Sequence, residues 1–292
     1  MRKTTKKIIF YIVLAILVGV FAYSAYRLGS YILESVLTKG DYSDLSDMHG
    51  GHTAPRPSIT QPPATTPPEQ TGPGVIETTP VPTTPAPEFV TISHPNTGEE
   101  MKVLPEFEEL FLKNPDTVGW IAIPGTVIDY PVVQSPKNPD YYLHRDFNKK
   151  YNLHGCIYAR EQCDVDAPSD NITIYGHRMQ DGSMFAQLIN YTKESFYENN
   201  RYIYFDTLTE RHTYEIFAVF KTTATLGEGF QYHLFVDAKG EAEFNSFVKT
   251  CKRESFYDTG ITPQYGDKLI TLSTCEYSQE NGRLVIVAVR VA

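Results

Sequence analysis

The sequence predicts a mainly β domain, an antiparallel barrel or sandwich, attached to a membrane through a proline-rich spacer. Three observations lead there. Eight short runs of strand character, punctuated by Gly, Pro and polar residues, lie between Phe89 and Ala292. Tyr and Phe number 20 and 16 against a single Trp, a usage that favours strands. The composition also changes sharply before Phe89, from an apolar run to a Pro/Thr-rich tract and then to globular sequence.

Residues 1–27 form the cytoplasmic tip and anchor. Arg2, Lys3, Lys6 and Lys7 precede an uncharged, mostly apolar run from Ile8 to Tyr26, close to the ~20 residues that cross a bilayer as a helix. The basic residues lie before the run, so the positive-inside rule puts the N-terminus in the cytoplasm and the rest outside the cell. Ala22-Tyr23-Ser24 also fits a small-x-small cleavage site, but the length of the run favours a retained single-pass anchor. Residues 28–88 are a juxtamembrane segment, helical over "YILESVL", followed by a stalk. The tract from Gly50 to Glu88 holds eleven prolines and nine threonines, and it has too little apolar surface to offset its ordering entropy. It is expected to extend as a spacer that holds the domain off the membrane, with His49, His52 and His94 solvated in or beside it.

The domain proper spans 89–292. "LPEFEELFLKNPD" reads as a short amphipathic helix stopped at Asn114-Pro115. The strand runs are "GWIAI", "VIDYPVV", "GCIYA", "NITIYG", "RYIYFDT", "RHTYEIFAVFKT", "DKLITLST" and "RLVIVAVRV". A helix interrupts them in "DAKGEAEFNSFVKTCKRES", where Phe244, Phe247, Val248 and Cys251 recur at helical spacing. The net charge of −9 argues against a nucleic-acid partner. No cysteine pair has C-x-x-C spacing, so a zinc ribbon or a redox motif is not indicated, and Cys156, Cys163 and Cys251 read as buried thiols.

The last two runs carry the chemistry. Side chains alternate along a strand, so Leu269, Thr271, Ser273 and Cys275 share one face, as do Arg283, Val285, Val287 and Val289. The connection "EYSQENG" is too short for a parallel crossover, so the strands pair antiparallel and bring Cys275 beside Arg283 at one rim. A thiol there is a candidate nucleophile, and a guanidinium can hold an oxyanion. Acyl chemistry on a thiol calls for an acid/base partner. His177, at the end of the strand run "NITIYG" where Gly176 frees the backbone, is the best placed; His144, His154, His212 and His233 are ambiguous.

"TLSTC" closing a strand, an arginine opening the next, and "YGH" upstream resemble the sortase family. "NPDTVGWIAIPGTVIDYPVVQ", "YYLHRDF", "DGSMF" and the helical insertion resemble its class B branch. The resemblance covers about residues 101–292 and implies a closed eight-stranded barrel. It also implies a cysteine transpeptidase on the outer surface of a Gram-positive cell. Cys275 would attack the carbonyl after the threonine of a sorting motif in a secreted protein, His177 would shuttle the proton, and Arg283 would hold the oxyanion. The thioacyl group would pass to an amino group of a peptidoglycan precursor. No cofactor or metal is called for. Ser273, Tyr232, His233 and Glu276 are candidates for contact with the sorting peptide; Glu276 is expected to point away from the thiol or toward substrate, since a carboxylate there disfavours a thiolate. Two other readings stay open: a cysteine peptidase that hydrolyses similar peptides, and an inactive surface-binding module on a stalk.

Overall fold

A computed structural model describes residues 2–50 and 88–292. The Pro/Thr-rich stalk therefore lies almost wholly outside the described residues. One unbroken helix, α1 (Arg2–Met48), contains the apolar run and continues well past it. Residues 6–48 are long and apolar enough to include a membrane span, and the apolar window is wholly exposed.

The last third of α1 is not a free juxtamembrane segment. Tyr42 and Leu45 are buried in the main core, and Tyr42 packs edge-on against Tyr130. Ser46 donates to Asp129 at 3.0 Å, and Trp120 donates to the same carboxylate at 2.6 Å. His49, expected to be solvated, is only 5% exposed and stacks on Trp120 at 4.2 Å between ring centroids. A flat aromatic partner and an apolar niche outweigh the polar, proline-rich neighbourhood that suggested solvation. The C-terminal end of α1 is thus docked on the barrel.

A hairpin that the strand runs did not include, β1 (Val90–Ser93) with β2 (Glu100–Val103), opens the domain. The expected amphipathic helix is a single 3-10 turn at Pro105–Phe107 leading into α2 (Glu108–Lys113). It buries Phe107, Leu110 and Phe111, and it ends where the Asn114 side chain turns to Tyr142 and the Phe147 carbonyl.

All eight strand runs form strands. They are β3 (Thr117–Ala122), β4 (Asp129–Gln134), β5 (Ile157–Ala159), β6 (Asn171–Tyr175), β7 (Tyr202–Thr207), β8 (Arg211–Thr223), β9 (Leu269–Cys275) and β10 (Gly282–Arg290). A short helix, α3 (Glu194–Asn199), precedes β7, and the insertion helix α4 (Glu241–Glu254) precedes β9. The strands close a barrel in the order β10-β8-β7-β3-β4-β5-β6-β9. The expectation of an antiparallel sheet needs one correction: β4 pairs with β5, and β6 with β9, in parallel. Each parallel pair joins strands separated by a long excursion, which is what a parallel connection requires.

The two faces of β9 and β10 serve different cores. Ile270, Leu272, Leu284, Ile286 and Ala288 belong to the main core. Leu269, Val285, Val287 and Val289 pack outward in a second cluster with Phe244, Phe247, Val248 and Cys251 of α4. Cys275 and Arg283 lie on this second, outward face, which puts the candidate site on the outside of the barrel, beside the insertion.

Candidate active site

Three neighbouring strands bring the three candidate residues to one end of the barrel. In the antiparallel β9–β10 pair, Arg283 lies directly opposite Cys275. In the parallel β6–β9 pair, Tyr175 is matched with Ser273, and the Gly176 N–H donates to the Ser273 carbonyl at 3.2 Å. Continuing that register by two residues sets His177 beside Cys275, on chains about 4.8 Å apart. The parallel pairing brings His177 and Cys275 to one pocket, because both strands then finish at the same rim. His177, Cys275, Arg283 and Ser273 line one open pocket of about 60 Å³, together with Leu143, Tyr158 and Tyr175.

Gly176 does something other than free the backbone. A Cβ there would lie 2.5 Å from Ile157 Cδ1 and 2.7 Å from Phe185 Cδ2. Close packing under the His177 backbone demands the glycine, and its φ lies outside the left-handed region.

The His177 ring is oriented by one hydrogen bond. Its Nε2 lies 2.7 Å from the Leu143 carbonyl oxygen, which can only accept, so Nε2 carries the proton and Nδ1 holds the lone pair. The ring stacks on His144 at 5.4 Å. Burial pulls its pKa below the ordinary histidine value; the Leu143 bond opposes this, while His144, His154 and Arg283 add to it. His177 is therefore a neutral imidazole at neutral pH, in the form that can accept a proton from a thiol.

Cys275 is partly exposed, whereas Cys156, Cys163 and Cys251 are free and buried, as expected. Burial raises the Cys156 thiol to about 12 and the Cys163 thiol to about 11, and it pushes Cys251 well up. Arg283 donates through Nη1 to the Gly282 and Asn281 carbonyls at 3.0 and 3.3 Å. Among the described residues no carboxylate pairs with it, so its charge is not neutralised at the pocket.

The four weaker candidates sort differently. Ser273 and Tyr232 are both buried and hydrogen-bonded to each other at 2.6 Å. Ser273 reaches the pocket lining, while the Tyr232 hydroxyl is committed beneath it. His233 is half-buried nearby; its carbonyl accepts from Arg160, and burial, then Arg160 and Arg283, lower its ring pKa. Glu276 is buried, 6% exposed. It bonds Lys221 at 3.0 Å and takes the Ser278 N–H and hydroxyl. Burial opposes its ionisation, but the Ser278 and Lys221 bonds outweigh that and hold its carboxyl below the usual range. It braces the β9–β10 turn through both oxygens. The site residue that strand reasoning passed over is Leu143. Only its carbonyl acts, and main-chain groups leave no mark in side-chain pattern.

A Sortase domain model matches residues 121–291, more than half of the chain. The chain belongs to the sortase family, in its class B branch. Staphylococcus aureus sortase B is 34% identical over 188 residues, which cover 64% of this chain and 75% of that protein. Among solved structures, a Staphylococcus aureus sortase B–substrate complex superposes with a TM-score of 0.59 at 34% identity, covering 65% of this chain and 86% of that one. A sortase B complexed with triglycine superposes with a TM-score of 0.59 at 33% identity, covering 64% and 86%. Membership makes this chain a cysteine transpeptidase of the sortase type.

Proposed function

We propose that this sortase, anchored in the cell membrane with its barrel outside the cell, cleaves a C-terminal sorting motif of secreted proteins after its threonine. It then transfers the new acyl end to an amino group of a peptidoglycan precursor. The observation that carries the reading is the convergence of His177, Cys275 and Arg283 at the shared rim of β6, β9 and β10. The substrate complex and the triglycine complex of the two relatives support a sorting peptide and an amine as the two reactants.

Cys275 Sγ attacks the scissile carbonyl as its proton passes to His177 Nδ1. Arg283 donates to the oxyanion of the tetrahedral adduct. Collapse breaks the C–N bond, and the His177 imidazolium delivers its proton to the departing amine. The acceptor amine then gives a proton to His177 and attacks the thioester; the C–S bond breaks, and the imidazolium returns that proton to Sγ, restoring the thiol and the neutral imidazole. Through both halves the Leu143 carbonyl keeps hold of Nε2–H and steadies the imidazolium form.

The test is to incubate the full chain with a library of sorting-type peptides, with and without triglycine. Ligated product that requires triglycine and disappears in Cys275→Ala is expected. Product unchanged in Cys275→Ala would refute the assignment, and cleavage indifferent to triglycine would make the protein a hydrolase.

A further inference from the structure

Both loops that flank His177 are tied to α1, well beyond its apolar run. The first loop joins β4 to β5 and contains Leu143, whose carbonyl orients the His177 ring. In it the Leu153 N–H donates to Glu34 at 2.7 Å and the Asn152 side chain donates to Thr38 at 2.8 Å. The Gly155 carbonyl accepts from the Tyr42 hydroxyl at 2.8 Å. Gly155 itself, at φ +58, lies so close to the same carbonyl that a Cβ would stand 2.4 Å from Leu143 O. Tyr42 is therefore bonded to the glycine that packs against the carbonyl holding His177.

The second loop follows His177 directly and folds back, with the Phe185 N–H donating to the His177 carbonyl at 2.9 Å. At its tip stands Asp181. The Asp181 carboxylate accepts from Ser35 of α1, lies 3.5 Å from Lys39, and takes the Ser183 hydroxyl at 2.6 Å. His154 of the first loop is fully buried and lies 3.2 Å from the same carboxylate, which joins the two loops to each other as well as to the helix.

The geometry points to α1 as a positioning element of the active site: residues 34–42, acting through Asp181 and the 143–155 loop, hold the His177 ring in its working orientation. The membrane anchor is then part of the catalytic apparatus as well as a tether. This rests on the reading of His177 and Cys275 given above. None of Ser35, Tyr42 or Asp181 lines the pocket, so none is a catalytic residue. The ionisable groups around the ring are His144, His154 and Arg283, with Cys275, Tyr158 and Tyr175 lining the same pocket, and the α1 bonds reach it only through the loops.

The test uses the full chain in detergent micelles, comparing wild type with Ser35→Ala/Tyr42→Phe, Ser35→Thr and Asp181→Asn. Two readouts are taken: turnover of a peptide that the wild type cleaves, and the rate of Cys275 alkylation by iodoacetamide against pH. In the double variant and in Asp181→Asn, kcat is expected to fall about tenfold or more, since small misplacements of a catalytic group are costly. KM is expected to stay within about twofold, because neither residues 34–42 nor Asp181 line the pocket. The acid limb of the alkylation profile should move up toward the ordinary histidine value of about 6.5 as the ring loosens into water. Ser35→Thr, which keeps the hydroxyl, should match wild type. Unchanged kcat and an unchanged alkylation profile in the folded double variant would overturn the inference while leaving the transpeptidase reading intact. So would a loss of turnover matched by the unfolded fraction with no movement of the profile. Wild-type turnover that survives Cys275→Ala would overturn both.

Discussion

Gly176→Ala adds one methyl group in the tightest place beneath the active site. The new Cβ would meet Ile157 Cδ1 at 2.5 Å, Phe185 Cδ2 at 2.7 Å and Phe185 Cγ at 2.8 Å. Ile157 can withdraw its flexible tip, but Phe185 is fully buried and offers a rigid ring. Overpacking of this kind costs about 1–3 kcal/mol. The φ of Gly176 is not in the left-handed region, so alanine adds no backbone strain, and it removes unfolded-state freedom worth about 0.4–1 kcal/mol. The net expectation is a loss of up to about 2.5 kcal/mol. Function should suffer more than stability, because the Phe185 N–H holds the His177 carbonyl and a displaced ring turns His177 with it. Thermal unfolding and steady-state turnover, measured on the same preparation, separate the two effects. Turnover should fall by more than the loss in folded protein explains, and a smaller residue at 185, Phe185→Leu, should return part of it. Turnover within about twofold of wild type at an equal or higher Tm would refute the packing argument.

Three further outcomes follow from the same contacts. Removing either partner of the buried Ser273–Tyr232 hydrogen bond strands the other, so Ser273→Ala and Tyr232→Phe should each destabilise by about 1–3 kcal/mol and the double variant by less than their sum, read by chemical denaturation. The folded-state pKa of Glu276 is lowered, so its stabilising effect is present above the unfolded value of about 4.3 and is lost as pH falls through the folded one. Glu276→Gln should accordingly lower Tm near neutral pH, by a margin that closes in acid. Burial keeps His177 neutral, so the acid limb of kcat/KM should fall below about 6.5, and Leu143, which acts through its carbonyl, should tolerate Leu143→Met with the limb unmoved.

The eight strands and the insertion helix are legible in the sequence because alternation and helical spacing are local. Partnership is not local, and there the pattern falls silent. Alternation places Cys275 and Arg283 together, since a six-residue turn from Glu276 to Asn281 leaves antiparallel pairing as the sole choice. It sets His177 at a strand end but says nothing of β6 lying parallel to β9, with nearly a hundred residues between them, and that pairing completes the site. The stretch from Tyr31 to His49 misleads for a different reason. Its buried positions, Ser35, Thr38, Tyr42, Leu45 and His49, do recur at helical spacing, but most of them are polar, so an apolar stripe does not mark the face that docks. The β1–β2 hairpin escapes for a related reason, as four-residue strands are too short for alternation to show.

The central claim is that a thiol, an imidazole and a guanidinium brought to one rim by β6, β9 and β10 perform acyl transfer through Cys275. The most direct measurement is the intact mass of the full chain, quenched in acid shortly after mixing with a peptide it cleaves. A mass increase equal to the N-terminal acyl fragment, located on Cys275 and discharged by triglycine into ligated peptide, is the predicted result. Turnover at full rate with no such adduct in wild type, or with an adduct that persists in Cys275→Ala, would contradict it.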